Sequence, residues 1–156
     1  MTQRAVCVRP GEGRTIEGPV GGPLTFKVTG EETGGALTAL ENVIPPGQGP
    51  PLHTHANEDE AWYVIEGDLR FRLGDENATA PAGSFVFVPR GTPHCFHNAG
   101  SADARILVMF TPSGMEAFFE RFTSAETPGP QAFAEAGSGV GMEIVGPPLA
   151  VSDPAD

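Results

Sequence analysis

Residues 47–67 read GQGPPLHTHANEDEAWYVIEG and residues 83–98 read GSFVFVPRGTPHCFHN. In the first stretch His53 and His55 stand one residue apart, with Glu60 shortly after. In the second, His94 follows the turn Pro89-Arg90-Gly91. Alternate residues of an extended chain face the same way, so His53 and His55 are expected to point to one side. Glu60 opens the next strand on the face of Trp62 and Val64, and His94 shares a face with Phe96. Three imidazoles and one carboxylate from separate strands can surround a divalent transition metal. That donor set admits Fe, Mn, Ni, Co, Cu or Zn without choosing among them. A closed tetrahedral site would be structural zinc. An inward-facing site with positions left for water or substrate would be reactive. His97 lies three residues after His94, so it falls on the opposite face and is not expected to ligate. Cys95 is turned away in the same manner and reads as a buried, inert thiol.

Working outward, the chain alternates short apolar runs with glycine and proline. Leu24 to Thr29, Ala36 to Ile44, Glu60 to Ile65, Leu69 to Leu73, Asn77 to Ala80 and Ala104 to Thr111 read as strands, and Ala5 to Arg9 as a possible one. Glu66-Gly67-Asp68 reads as a hairpin turn. Leu69, Phe71 and Leu73 alternate with Arg70 and Arg72, which places the arginines in water. Phe85 to Val88 is wholly apolar, as for a strand buried on both faces. Many short strands at this spacing predict an all-β sandwich or small barrel. Ser113 and Glu116 then have capping-box spacing, predicting a helix to about Ala125 with Phe118, Phe119 and Phe122 on one side. Gln131 to Ala136 could add a turn or two, and residues 142–145 a last extended segment. One domain is expected over residues 1–156: an N-terminal arm and strands (1–35), a barrel core (36–111) and a C-terminal helix and tail (112–156).

The 156 residues suit a single core. With 21 Gly and 16 Pro spread between apolar runs, the composition is that of a turn-rich β protein. The net charge of −11 and the single lysine, Lys27, argue against nucleic acid and anionic membranes as partners. Two cysteines far apart in sequence make no disulfide framework. No apolar run approaches the roughly 18 residues a membrane span needs, and the first residues lack a signal core. A soluble cytoplasmic protein is therefore expected.

The two glycine-bounded frames match both motifs of the cupin superfamily without a gap or substitution. The text at 61–76 and 85–100, with a phenylalanine-rich helix after it, resembles bacterial quercetin 2,3-dioxygenase-like monocupins. The resemblance implies an antiparallel jelly-roll barrel. It also implies His53, His55, Glu60 and His94 as ligands of one metal per chain, and pairing of barrels into a homodimer. For function it implies a metal-dependent dioxygenase that opens a flavonol-like or other enolic aromatic substrate. Glu60 would be both ligand and catalytic base, dioxygen the second substrate, and Trp62, Phe71, Phe87, Phe96, Met109 and Phe110 the pocket. A redox-neutral isomerase, cyclase or lyase, or a small-molecule binding module, would use the same centre. The run Gly137-Ser138-Gly139 departs from the pattern by interrupting a segment expected to be helical.

Overall fold

The structure is a computed structural model that describes residues 3–152. Strands β1 (Arg14–Glu17) and β2 (Pro23–Val28) precede a single helical turn, α1 (Gly30–Thr33). Eight strands follow: β3 (Thr38–Ile44), β4 (Pro51–His55), β5 (Asp59–Glu66), β6 (Asp68–Leu73), β7 (Glu76–Pro81), β8 (Phe85–Val88), β9 (His94–Asn98) and β10 (Ala104–Thr111). Helices α2 (Glu116–Thr123) and α3 (Pro130–Ser138), strand β11 (Met142–Pro148) and helix α4 (Leu149–Ser152) complete the chain. All pairings are antiparallel. One sheet has the order β1-β2-β3-β10-β5-β8, the other β11-β4-β9-β6-β7. The two face each other as a jelly-roll barrel around one apolar core that includes Trp62, Phe71, Leu69, Ile106 and Phe110. No helix of the described residues is long and apolar enough to cross a membrane.

Several local expectations change. Glu66-Gly67-Asp68 is a corner and not a hairpin: β5 and β6 lie in opposite sheets. Gly67 makes the corner at φ 95°, where a Cβ would sit 2.8 Å from that of Ala104. The hairpin is the next one, β6–β7, with Leu73 opposite Glu76. Strand β8 is not buried on both faces. It is the edge strand of its sheet, with Val86 and Val88 inward and Phe85 and Phe87 63% and 57% exposed. Arg70 and Arg72 are half-buried rather than fully in water, and Arg72 Nε donates to the Gly74 carbonyl at 2.7 Å.

At the N-terminus, Ala5 to Arg9 forms no strand; β1, further along, pairs with β2 instead. Residues before it run beside α1, where Arg4 N–H donates to Glu32 O. The capping box occurs here, from Thr29 and Glu32, and not at Ser113. Glu116 is committed elsewhere. Its carboxylate accepts from the Gly114 and Gly30 N–H groups and the Thr38 hydroxyl, so α2 begins without a side-chain cap. Further ties fix α2 to the barrel: Arg14 pairs with Glu120, and the Thr123 hydroxyl donates to Glu17 O. The glycines near 137–139 end α3 rather than interrupt it: Gly139 is its C-cap, and Pro130 is pre-set for its first turn. β11 then adds to the second sheet beside β4.

Candidate metal centre

His53 and His55 point inward from β4, Glu60 from β5 and His94 from β9. β4 and β9 are paired with His53 directly opposite His94. β5 belongs to the facing sheet, so the carboxylate approaches the histidines from across the barrel. All four are buried, and one ligand atom from each lies within 4.8 Å of all the others. The strands are held by bonds between the two motifs. Gly91 N–H donates to His55 O at 2.8 Å, and Arg90 donates to Asp59 through its backbone and guanidinium. Arg90 is thus tied to β5 rather than pointing freely into solvent. Asp59 and Arg90 are positioning residues that the sequence reading did not assign. Asn98, which closes the second motif, staples a turn: its side-chain amide donates to Ile44 O and Ala102 O.

The donor chemistry fits a cation. His53 Nδ1–H donates to Pro51 O at 2.7 Å and His94 Nδ1–H to Thr92 O at 2.8 Å, which fixes both tautomers and turns both Nε2 atoms into the cluster. Glu60 Oε2 lies 2.8 Å from His94 Nε2 and 3.0 Å from His55 Nε2. The His55 contact is out of hydrogen-bonding line, so both ring nitrogens of His55 are buried without a hydrogen bond. A buried polar atom left so is costly, by about 1–3 kcal/mol, and a metal would satisfy it. Burial and the neighbouring imidazoles of His94 and His55 hold His53 down at about 3, so it is neutral with a free lone pair. Burial would push Glu60 up, but His55 and His94 outweigh it and hold the carboxyl at about 2. Burial also pulls His94 down, yet the hydrogen bond and charge of Glu60 outweigh it and raise it. Glu58, which the sequence reading passed over, is also buried. Desolvation raises its pKa, and its Oε2 has no hydrogen-bond partner.

The ligand atoms face a cavity with about 50 Å³ of free space. Trp62, Phe96 and Phe110 line it, as the sequence reading placed them. Phe71 does not; it lies in the core behind Trp62, ring centroids 5.3 Å apart. Phe87 and Met109, also expected there, do not line it either. Phe87 faces solvent, and Met109 is half-buried on the outward face of β10, because its neighbour Phe110 takes the inward position. The remaining wall includes Leu40, Asn42, Met115, Phe118, Phe119, Phe133 and Met142. Phe118 and Phe119 were legible as a helix face. Asn42 sits at an inward-facing alternate position between Leu40 and Ile44, a period-two signal present in the sequence. Phe133 gave none. It reaches the cavity through α3, its ring 6.4 Å from that of His53. His97 is buried outside the cluster, and Cys95 is covered by α4, where burial pushes its thiol up to about 11.

Residues 41–110 match the family model described as Cupin domain. The tetracenomycin polyketide synthase protein TcmJ of Streptomyces glaucescens is 32% identical over 80 residues, 51% of this chain and 52% of that protein. Quercetin 2,3-dioxygenase of Bacillus subtilis is 29% identical over 72 residues, 46% of this chain and 21% of that one. An RmlC-like cupin structure from Shewanella frigidimarina superposes with a TM-score of 0.63 at 17% identity, covering 74% of this chain and 98% of the other. The chain spans about half the length of the curated relatives it matches first. With both sheets, the inward histidines and the family match in agreement, residues 41–110 of this chain form a cupin domain.

Proposed function

We propose that the protein is a metal-dependent dioxygenase acting on an enolic aromatic substrate. The observation that carries this reading is the coincidence of the four-ligand cluster with an aromatic, apolar cavity opening on it. When bound, a divalent metal supplies Lewis acidity toward an enolic oxygen and a route for dioxygen to the substrate. His53, His55 and His94, fixed by the Pro51 and Thr92 carbonyls, hold the centre. Glu60 is ionised at neutral pH and takes the substrate's hydroxyl proton at Oε1 while Oε2 stays with the histidines; removing that proton makes the ring electron-rich. Trp62, Phe96 and Phe110 flank the flat ligand and exclude water. Both atoms of dioxygen enter the product; in a quercetinase-like reaction the heterocycle opens and carbon monoxide leaves.

A second reading, in keeping with a polyketide synthase protein among the relatives, is that the same centre stabilises an enolate without consuming oxygen. Dioxygen uptake by metal-reconstituted protein, over a panel of flavonols and smaller enolic phenols, separates the two. Metal-dependent uptake with a ring-opened product is expected. Turnover under nitrogen would favour the redox-neutral reading, and no turnover with a full metal site would sink both.

We also infer a homodimer. Its support is the exposed aromatic patch of Tyr63, Phe85 and Phe87 on the outer face of β5 and β8. Strand β1 pairs within its own chain and leaves the other edge of that sheet for a partner.

A further inference from the structure

Apart from the metal-centre residues, the cavity wall carries two polar groups, and neither is used. Asn42 Oδ1 and Trp62 Nε1 are wholly buried and have no hydrogen-bond partner. Asn42 sits on β3 between the inward-facing Leu40 and Ile44, its backbone paired with Leu24 and Ile106 on either side. Nothing in the fold requires an amide there. Asparagine is a poor strand residue, and its side chain makes no structural bond through Oδ1. Leucine would fill the position without leaving a polar atom dry. The turn between β1 and β2 closes over it, so that a Cβ at Gly18 would lie 3.3 Å from Oδ1.

The sheet register places this amide far from the ligands. Asn42 is opposite Ile106 and Glu60 opposite Phe110, on either side of β10. Four residues along a strand and two strand spacings across separate the two backbones by about 17 Å. Both side chains project inward from one sheet beside about 50 Å³ of free space, and Pro19, Val20 and Phe133 line both this space and an outer groove of about 610 Å³, so an aromatic body would have to draw on both.

We propose that Asn42 determines specificity in this cavity, its amide hydrogen-bonding a neutral hydroxyl carried by the substrate at the end remote from His53, His55, Glu60 and His94. The proposal rests on the reading of the cavity as the site of an enolic substrate. The group is a hydroxyl because the surrounding wall is apolar and offers no counter-charge. A hydroxyl also serves either end of the amide, donating to Oδ1 or accepting from Nδ2. The substrate class is then an enolic or enolisable compound with an aromatic body and a distal hydroxyl.

The test compares phenylpyruvate with 4-hydroxyphenylpyruvate, which differ by one distal hydroxyl, as ligands of protein loaded with redox-inert Zn²⁺. Calorimetry should give the hydroxylated probe at least about tenfold tighter binding to wild type, the worth of one buried hydrogen bond. In Asn42→Leu the ratio should fall to about one. The metal-free variant should melt no lower than wild type, and a few degrees higher where the unpaired amide was a burden. If Asn42→Leu fails to fold, Asn42→Val, which suits a strand, carries the same comparison. An undiminished ratio in the variants, or both folding only with a large loss of melting temperature, would overturn the proposal. Equal affinities in wild type would also overturn it while leaving the enolic reading intact. Binding of neither probe to wild type would remove the enolic reading and this proposal with it.

Discussion

Glu116→Ala should unfasten the start of α2 from the barrel and cost about 3–5 kcal/mol. In the native fold one carboxylate gathers three donors, from α1, from β3 and from the turn that leads into α2: Gly30 N–H at 2.9 Å, the Thr38 hydroxyl and Gly114 N–H at 2.8 Å. Hydrogen bonds to a charged acceptor contribute about 1.5–3 kcal/mol each, and the half-buried site allows water to recover part of that for the two N–H groups. Thr38 is fully buried, so its hydroxyl is left dry. For a domain of this size the loss corresponds to a fall of roughly 10 °C in melting temperature. The pH dependence has a definite sign. Burial alone would raise the Glu116 pKa, but the bonds from Thr38, Gly30 and Gly114 outweigh it and hold the folded value below the ordinary 4.5. The contribution is therefore complete above pH 4.5 and disappears as pH falls through the lowered folded value. Urea melts of wild type and Glu116→Gln, which cannot titrate, should show a constant gap from pH 8 to 5 that narrows below. A Glu116→Ala variant within about 1 kcal/mol of wild type, or a Glu116→Gln gap that persists unchanged at the lowest pH, would refute the reasoning.

Phe133 divides the inner cavity from an outer groove of about 610 Å³ that it shares with Pro19 and Val20. Phe133→Ala should cost about 3 kcal/mol yet speed entry of bulky flavonols, measured by stopped flow; an unchanged entry rate would show that ligands take another path. Replacing Phe85 and Phe87 together by serine should convert the proposed homodimer to a monomer in sedimentation equilibrium, and a wild type already monomeric at micromolar concentration contradicts the interface. A disulfide-exchange reagent should titrate exposed Cys7 at once and Cys95 only on unfolding, because Cys95 is buried with its thiol raised to about 11; rapid reaction of both in the native state would contradict that burial.

The barrel strands and the inward direction of the histidines were legible because both rest on a period of two, which a strand imposes locally. Glu60, Trp62 and Val64 share a face for that reason, as do Leu69 and Phe71. Strand pairing is non-local, and there the reading failed. Gly67 looks like a hairpin turn in either arrangement, and only the approach of Ala104 from β10 makes it a corner. Phe85 to Val88 is apolar throughout, so its sequence does not show that one face lacks a covering layer. The pocket expectation failed at Phe87 and Met109 because apolar character does not say which face of a strand a residue takes; alternation does. Glu116 has the spacing of a capping box, but Gly30 and Thr38, from distant elements, share its carboxylate with the neighbouring Gly114 N–H. Phe133 joins the wall only through the packing of α3 on Phe118 and Phe122, which no local pattern encodes.

Calorimetric titration of Zn²⁺ and Mn²⁺ into chelator-stripped wild type and the four single alanine variants tests directly whether His53, His55, Glu60 and His94 together hold one metal. One ion per chain is predicted for wild type. Each variant should lose more than about a hundredfold in affinity, beyond the usual cost of removing a group that only supports a ligand, while keeping a cooperative melt. Wild-type protein that takes up no ion, or affinity that survives the loss of any two of the histidines, would contradict it.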